Sequence, residues 1–290
     1  VPELPDLLHV VARLRERLVG LTVASERVKE PVVLRFAVRG NLSLLLGRPL
    51  EDVVRRSHFV MLRFPGLDLA VNPMLAGRFR LAKPSERGEA ALCFALTFED
   101  QRGRPAAESL NEGVELRYLD DKKMGKAYLI AAGDVRSIPA FPSGGVDVLS
   151  REFTAERFFS MLKRRRDQVR AFLLDKKALD SIGNAYADEV LFEAGIHPKT
   201  FCRSLGHDDG VRLHAAIAKV MREAADEVAR RNEPIEVKVR DFLKVRLKEV
   251  CPRCGSKIRV AGVKGMDAYF CPQCQPATRP GFVDWRRTGQ

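Results

Sequence analysis

The sequence predicts an α+β chain, and three observations carry that prediction. Strand-like stretches punctuated by Gly, Pro and Asn fill the first half; the apolar spacing becomes helical after about residue 150; and a pair of Cys-x-x-Cys turns stands near the end. Those turns, Cys251-Pro-Arg-Cys254 and Cys271-Pro-Gln-Cys274, are sixteen residues apart. Each presents two thiolates, and together they complete a tetrahedral shell with the spacing of a structural zinc site. Two disulfides are the alternative, disfavoured because the chain shows no secretory signal. A closed four-thiolate shell keeps no open position for metal catalysis, so one Zn2+ is expected to hold a finger that touches something else.

Taken in order, the chain opens on Val1-Pro-Glu-Leu-Pro-Asp6, where two prolines predict an extended start. A helix to about Leu18 follows, with Leu7, Val10, Val11, Leu14 and Leu18 on one face, and Gly20 ends it. Strands are expected at Leu21–Ala24, Val32–Val38, His58–Phe64, Leu67–Val71, Ala91–Phe98 and Val114–Leu119, forming a β-sandwich. The Pro/Gly-rich run from Ile138 to Gly145 reads as the boundary. This gives an N-terminal sandwich over 1–137, a hinge over 138–150, a helical domain over 151–248, and a zinc finger with a basic tail over 249–290.

In the helical part, Thr154 is the expected N-cap of a helix carrying Phe158 to Leu173, with Lys163-Arg-Arg-Arg166 on it as a solvated or phosphate-facing patch. A second helix runs from near Asn184 to Ala194, stopped by Gly195 with Pro198 beyond. Leu213 to Val228 mark a long amphipathic helix ending near Asn232. In the finger, Lys257–Val260 and Asp267–Phe270 read as strands joined by the tip Ala261–Gly265, and the tail from Gln275 as loosely ordered.

Composition narrows the partner. Lys and Arg number 50 against 38 acidic residues, a net charge of +12, which favours a polyanion. No run of 18 apolar residues is present, so no membrane helix is expected. Cys93 and Cys202, outside the finger, read as buried, reduced thiols of a cytoplasmic protein.

Several stretches occur together in one order: Pro2-Glu-Leu-Pro-Asp6, Leu173-Leu-Asp175, Ile182-Gly-Asn-Ala-Tyr-Ala-Asp-Glu189, Ala194-Gly-Ile-His-Pro198 and the four-cysteine finger. Along its whole length the chain resembles the formamidopyrimidine-DNA glycosylase / endonuclease VIII (MutM/Nei) family, as a divergent member. The resemblance implies a β-sandwich, a helix-two-turns-helix domain and a zinc β-hairpin finger. It implies a bacterial DNA-repair enzyme, monomeric, acting on damaged DNA lying between its halves. A catalytically weakened damaged-DNA-binding protein of the same fold is the alternative.

In that family the secondary amine of an N-terminal proline attacks C1′ of the damaged nucleotide, and a carboxylate assists the proton transfers; Pro2 and Glu3 match them. With Val1 in place the Pro2 nitrogen is an amide, so Val1 is expected to stand for a removed initiator residue. The family's phosphate-contacting Asn matches Asn184, where helix-start N–H groups offer a phosphate seat, and Arg170 is a second phosphate candidate. Tyr186 and Glu189 are expected to support packing.

The departures are specific. His58, in Arg55-Arg-Ser-His-Phe59, stands where the family has a Lys on a sandwich hairpin. Met74 matches an inserted Met, but Lys122 and Met124 replace an intercalating Arg and Phe in Asp120-Asp-Lys-Lys-Met-Gly125. Met266 stands where the finger has a phosphate-gripping Arg, leaving Lys264 as the nearby cation. Before Cys251 the chain lacks the length of a closing loop that guanine-specific members carry, which argues against 8-oxoguanine as the preferred base.

Overall fold

The computed structural model describes residues 2–100, 113–139, 141, 145–180 and 182–277; Val1, part of the expected hinge and the tail beyond 277 lie outside them. The chain divides into two compact units: Val1–Pro2, Asp6–Phe141 and Val228–Lys238 in one, Glu3–Pro5, Pro142–Glu227 and Val239–Gln290 in the other. The return of residues 228–238 to the first unit has no signal in the sequence pattern.

Helix α1 (Leu4–Leu18) begins inside the stretch expected to be extended. Pro5 sits in its first turn, where the amide that proline lacks has no helical partner to lose. Two sheets follow. One pairs β1 (Thr22–Val28), β7 (Leu92–Glu99), β8 (Val114–Leu119) and β6 (Arg78–Ala82) in the order β1-β7-β8-β6; the other runs β2 (Leu34–Phe36), β9 (Lys126–Ala131), β5 (Leu67–Asn72), β4 (Phe59–Phe64), β3 (Asp52–Arg56). Inward residues such as Val23, Leu62, Leu69, Phe94, Leu96, Leu116 and Leu129 share one core with Leu7, Leu14 and Leu18 of α1. The expected strand at Val32–Val38 shortens to β2 because Pro31–Val33 form a 3-10 turn. Strands β3, β6 and β9 were not expected: β3 ends on Arg-Arg, β6 has two arginines in five residues, and β9 is an apolar run after Lys126 with no alternation.

The second unit opens on β10 (Val146–Asp147), paired in parallel with β11 (Leu179–Asp180). The single helix expected over 155–173 is two, α2 (Ala155–Lys163) and α3 (Val169–Leu173). Thr154 caps α2 through the Arg157 amide at 3.3 Å, as expected. The break falls at the basic run, where Arg165 turns to bind Asp167 at 2.9 Å and Asp175 at 2.7 Å; Lys163 is the last residue of α2, and residues 164–166 lie beyond it and do not line a helix face. Helix α4 (Asn184–Ala194) ends on Gly195 at φ 68°, and α5 (His207–Arg231) is the long amphipathic helix. The finger hairpin, β12 (Arg259–Val263) and β13 (Met266–Phe270), is longer than expected and its tip shorter. Lys264 (φ 47°) and Gly265 (φ 77°) make a two-residue turn with positive φ at both positions, whose twist matches the strands.

Candidate functional site

Glu3 is 7% exposed, and its carboxylate is bound by the first turn of α4. Oε1 accepts from the Ala185 amide at 3.1 Å; Oε2 accepts from Gly183 at 3.1 Å and Tyr186 at 3.2 Å. Amides at a helix start have no internal acceptor, and the helix dipole is positive there. The phosphate seat expected on these amides is thus filled by a carboxylate of the chain itself. Only glycine at 183 permits this, because a Cβ there would stand 2.6 Å from Glu3 Cγ and Oε1. Pro2 is half-buried and, within the first unit, borders a small cavity with Asp6, His9, Arg78 and Glu236.

Behind that turn lies a buried ionic cluster. Asp188, on α4, accepts from Arg170 Nε at 2.7 Å on one oxygen and from Arg246 Nη1 at 2.7 Å on the other. Arg170 is fully buried; its Nη2 donates to Asn184 Oδ1 at 3.1 Å and to the Asp267 carbonyl at 2.9 Å. Arg246 Nη1 donates to the same carbonyl at 3.1 Å, and its guanidinium lies over the Tyr269 ring at 4.7 Å. Arg170 and Asn184, both expected at phosphates, are here in contact with each other. Lys264 turns away: its Nζ pairs with Asp167 at 3.5 Å. Glu189 fixes the approach to the finger, accepting from the amides of Lys244, Val245 and Arg246 at 2.7–3.0 Å.

The finger's four sulfurs lie within 4.8 Å of one another, with Cys251–Cys274 at 3.8 Å and Cys254–Cys271 at 3.4 Å. Tetrahedral thiolates about 2.3 Å from a zinc ion stand roughly 3.8 Å apart, so the donor set fits one structural Zn2+. Hydrogen bonds from the Ser256 side chain and backbone pull the Cys254 thiol down to about 6, toward the thiolate that a metal needs, while burial pushes Cys271 up. Gln275 was expected in a loose tail but is fully buried: it accepts from the Cys271 amide at 3.0 Å and donates to the Ile196 carbonyl at 2.9 Å.

In the first unit, His58 occupies the two-residue tip of the β3–β4 hairpin, 3.1 Å from Ser57 Oγ. Met74 (φ 51°) and Leu75, 53% exposed, crown the loop after β5; Lys122 and Met124, 44% exposed, crown the loop after β8. Asn72 accepts from the Met74 amide at 3.0 Å, and Asp120 from Lys122 and Gly125 at 3.0 and 2.6 Å. Both loops close on the Tyr118 hydroxyl, which is buried with no hydrogen-bond partner among the described residues. Sequence reasoning missed Leu75, Tyr118, Asp188, Arg246 and Gln275. Asp188 and Glu189 carried a signal, two adjacent acids inside an apolar helix start, whereas Arg246 is one of many exposed-looking cations.

Three family models match the chain: the formamidopyrimidine-DNA glycosylase N-terminal domain over residues 1–127, the H2TH domain of the same glycosylase over 145–232, and a zinc finger found in FPG and IleRS over 248–277. The formamidopyrimidine-DNA glycosylase of Thermus thermophilus is 30% identical over 286 residues, covering 95% of this chain and 98% of that one. That of Symbiobacterium thermophilum is 30% identical over 296 residues, covering 99% and 93%. Among solved structures, Lactococcus lactis Fpg in complex with abasic-site DNA is 25% identical with a TM-score of 0.83, covering 95% of this chain and 100% of that one. A mutant of the same protein with Fapy-dG DNA gives 25% and 0.82.

Proposed function

We propose that this chain, which belongs to the formamidopyrimidine-DNA glycosylase family, excises damaged bases through the amine of Pro2 with Glu3 as the proton-transfer group. It is a DNA-repair glycosylase with abasic-site lyase activity; a catalytically weakened DNA-binding protein is not favoured. In the proposed sequence the target nucleotide leaves the stack, the Pro2 nitrogen bonds to C1′, and the bond from C1′ to the base breaks. The bond from C1′ to O4′ then breaks as O4′ takes a proton from Glu3, and the opened sugar carries an iminium, an electron sink that acidifies C2′; loss of a C2′ proton breaks the C3′–O bond and releases the 3′ phosphate. This requires Pro2 to be the first residue of the active protein.

The observation that carries the reading is the seat of Glu3. A carboxylate on three amides at a helix start is held as an acceptor in one position, which proton transfer requires. The zinc ion holds the finger and supplies no step. The stretch before Cys251 supports a lesion other than 8-oxoguanine: within the first unit the Glu233 backbone carbonyl accepts from His9 Nε2 at 2.8 Å, within the second Lys244–Arg246 are tied to Glu189, and little chain between is left to close over a base. Oxidised pyrimidines and ring-opened purines are the proposed substrates. We further propose a monomer working in a bacterial cytoplasm on nucleoid DNA; among the described residues no helix is long and apolar enough to cross a membrane.

Borohydride trapping on an abasic duplex tests this, paired with intact-protein mass. A covalent adduct that needs Pro2, on protein lacking residue 1, is expected. Efficient lesion excision by protein that retains Val1 would overturn the role of Pro2. Glu3→Gln should suppress base excision more than cleavage of a pre-formed abasic site, where no base has to leave.

A further inference from the structure

We infer that Arg246, from the segment leading into the finger, supplies the DNA-phosphate contact that the hairpin lacks at position 266. The inference rests on the proposed DNA-repair reading. At 266 the hairpin carries Met, and the neighbouring cation Lys264 is paired with Asp167. The position is nevertheless served by guanidinium from behind. Arg246 and Arg170 converge on one carbonyl, that of Asp267, and on the two oxygens of one carboxylate, Asp188.

The two guanidiniums share the one carboxylate of Asp188, which answers only part of their hydrogen-bonding capacity. The α4 amides take no phosphate themselves, since Glu3 holds those of Gly183, Ala185 and Tyr186, so a phosphate near this turn is left to a guanidinium. An unmet donor marks the same place: Arg170 Nη1 is buried with no acceptor among the described residues. Buried as it is, that N–H is out of a ligand's reach, so a phosphate here is met by the partner guanidinium of Arg246.

The two arginines divide the work. Arg170, 0% exposed, is an internal positioning residue; Arg246, 23% exposed, is the one that can meet a ligand. Its pose is set from three sides, by Asp188, by the face of Tyr269 and by Glu189 on its own backbone amide. A guanidinium held this way retains N–H groups beyond those given to Asp188 and Asp267, in the fork that suits phosphate.

The test is the salt dependence of binding to a duplex carrying a tetrahydrofuran abasic analogue, measured by fluorescence anisotropy. Removing one phosphate contact lowers the slope of log K against log salt by about 0.9. Arg246→Gln should therefore lower the slope by about that amount and weaken binding by roughly tenfold or more. Adding Met266→Arg to Arg246→Gln should restore slope and affinity. Arg246→Gln with an unchanged slope, whatever its thermal midpoint, overturns the inference. If Arg246→Gln does not fold, Met266→Arg alone decides: a slope close to wild type fits a position already served, and a full gain of about 0.9 overturns it. Wild-type protein that neither binds this duplex selectively nor forms a borohydride adduct refutes the repair reading instead, so the two failures are distinguishable.

Discussion

Gly183→Ala isolates the seat of Glu3 without touching a reacting atom. The added Cβ would stand 2.6 Å from Glu3 Cγ and Oε1, well inside van der Waals contact. The α4 backbone is fixed by its own helical bonds, so the carboxylate must withdraw by roughly an ångström to reach ordinary contact near 3.5 Å. That shift carries the bonds from Gly183, Ala185 and Tyr186, now 3.1–3.2 Å, out of hydrogen-bonding range. The freed carboxylate regains water, so the stability loss is on the order of 2 kcal/mol and the protein stays folded. Catalysis suffers more, because an ångström of misplacement costs about 100-fold and proton-transfer groups contribute about 100- to 10,000-fold. Single-turnover excision of a ring-opened purine should therefore fall about 100-fold or more, with anisotropy on an abasic-analogue duplex changed only a few-fold. Circular dichroism and zinc content confirm the fold. Excision within a few-fold of wild type would refute both the close approach and the role assigned to Glu3.

Three further outcomes are expected. Gly125→Ala would put a Cβ 2.8 Å from Tyr118 Cζ and 3.0 Å from Asp120 Oδ2, so both crowning loops should shift and thermal stability drop by about 1–3 kcal/mol, while Tyr118→Phe, which removes a buried hydroxyl lacking a partner, should hold or raise the midpoint. His58→Lys places a permanent charge on the hairpin tip and should steepen the salt slope of DNA binding by about 0.9 above pH 7; an unchanged slope removes His58 from the DNA surface. Burial depresses His197 from 6.5 to about 4, so the unfolded state takes up the proton first and stability, intact above pH 6.5, declines as pH falls toward 4. That loss is roughly 1–3 kcal/mol, read from denaturation midpoints, and His197→Asn, which keeps an acceptor for the Lys199 amide, should flatten it.

What the sequence made legible follows from how local each signal is. The four cysteines, the Gly195 stop and the Thr154 cap are set by neighbours within a few residues, and the structure bears them out. The sandwich was legible as a class, but β3, β6 and β9 were not: β6 alternates over only five residues of which two are Arg, β3 ends on Arg-Arg, and β9 buries an unbroken run from Ala127 to Ile130 that has no alternation to read. The site was half legible. Glu3 could be singled out, but its partners are some 180 positions away, and no spacing rule places a carboxylate on a distant helix start. Arg246 was opaque, and Arg170, though singled out as a phosphate candidate, gave no sign of its partners, for the same reason: what distinguishes both from other cations is their place beside Asp188.

Helix α4 explains why two acids follow each other inside a buried stretch. Its first turn holds Glu3, its middle holds Asp188 and Glu189, and its last turn hands over to Ile196, whose carbonyl accepts from Gln275 beyond the last zinc ligand. Asp188 faces Arg170 and Arg246; Glu189, one residue on, faces the amides of 244–246. Apolar residues of similar volume would pack as well and avoid the desolvation penalty of buried charge. They would not fix direction. A carboxylate that must meet two guanidiniums, beside one that must meet three amides, allows a single register between α4 and the segment entering the finger. The same helix therefore sets both the Glu3 carboxylate, proposed to transfer protons, and the guanidinium at the finger, and a slip at either would move the other. Replacing Asp188 should accordingly damage catalysis and finger together, where replacing an exposed residue of α5 should damage neither.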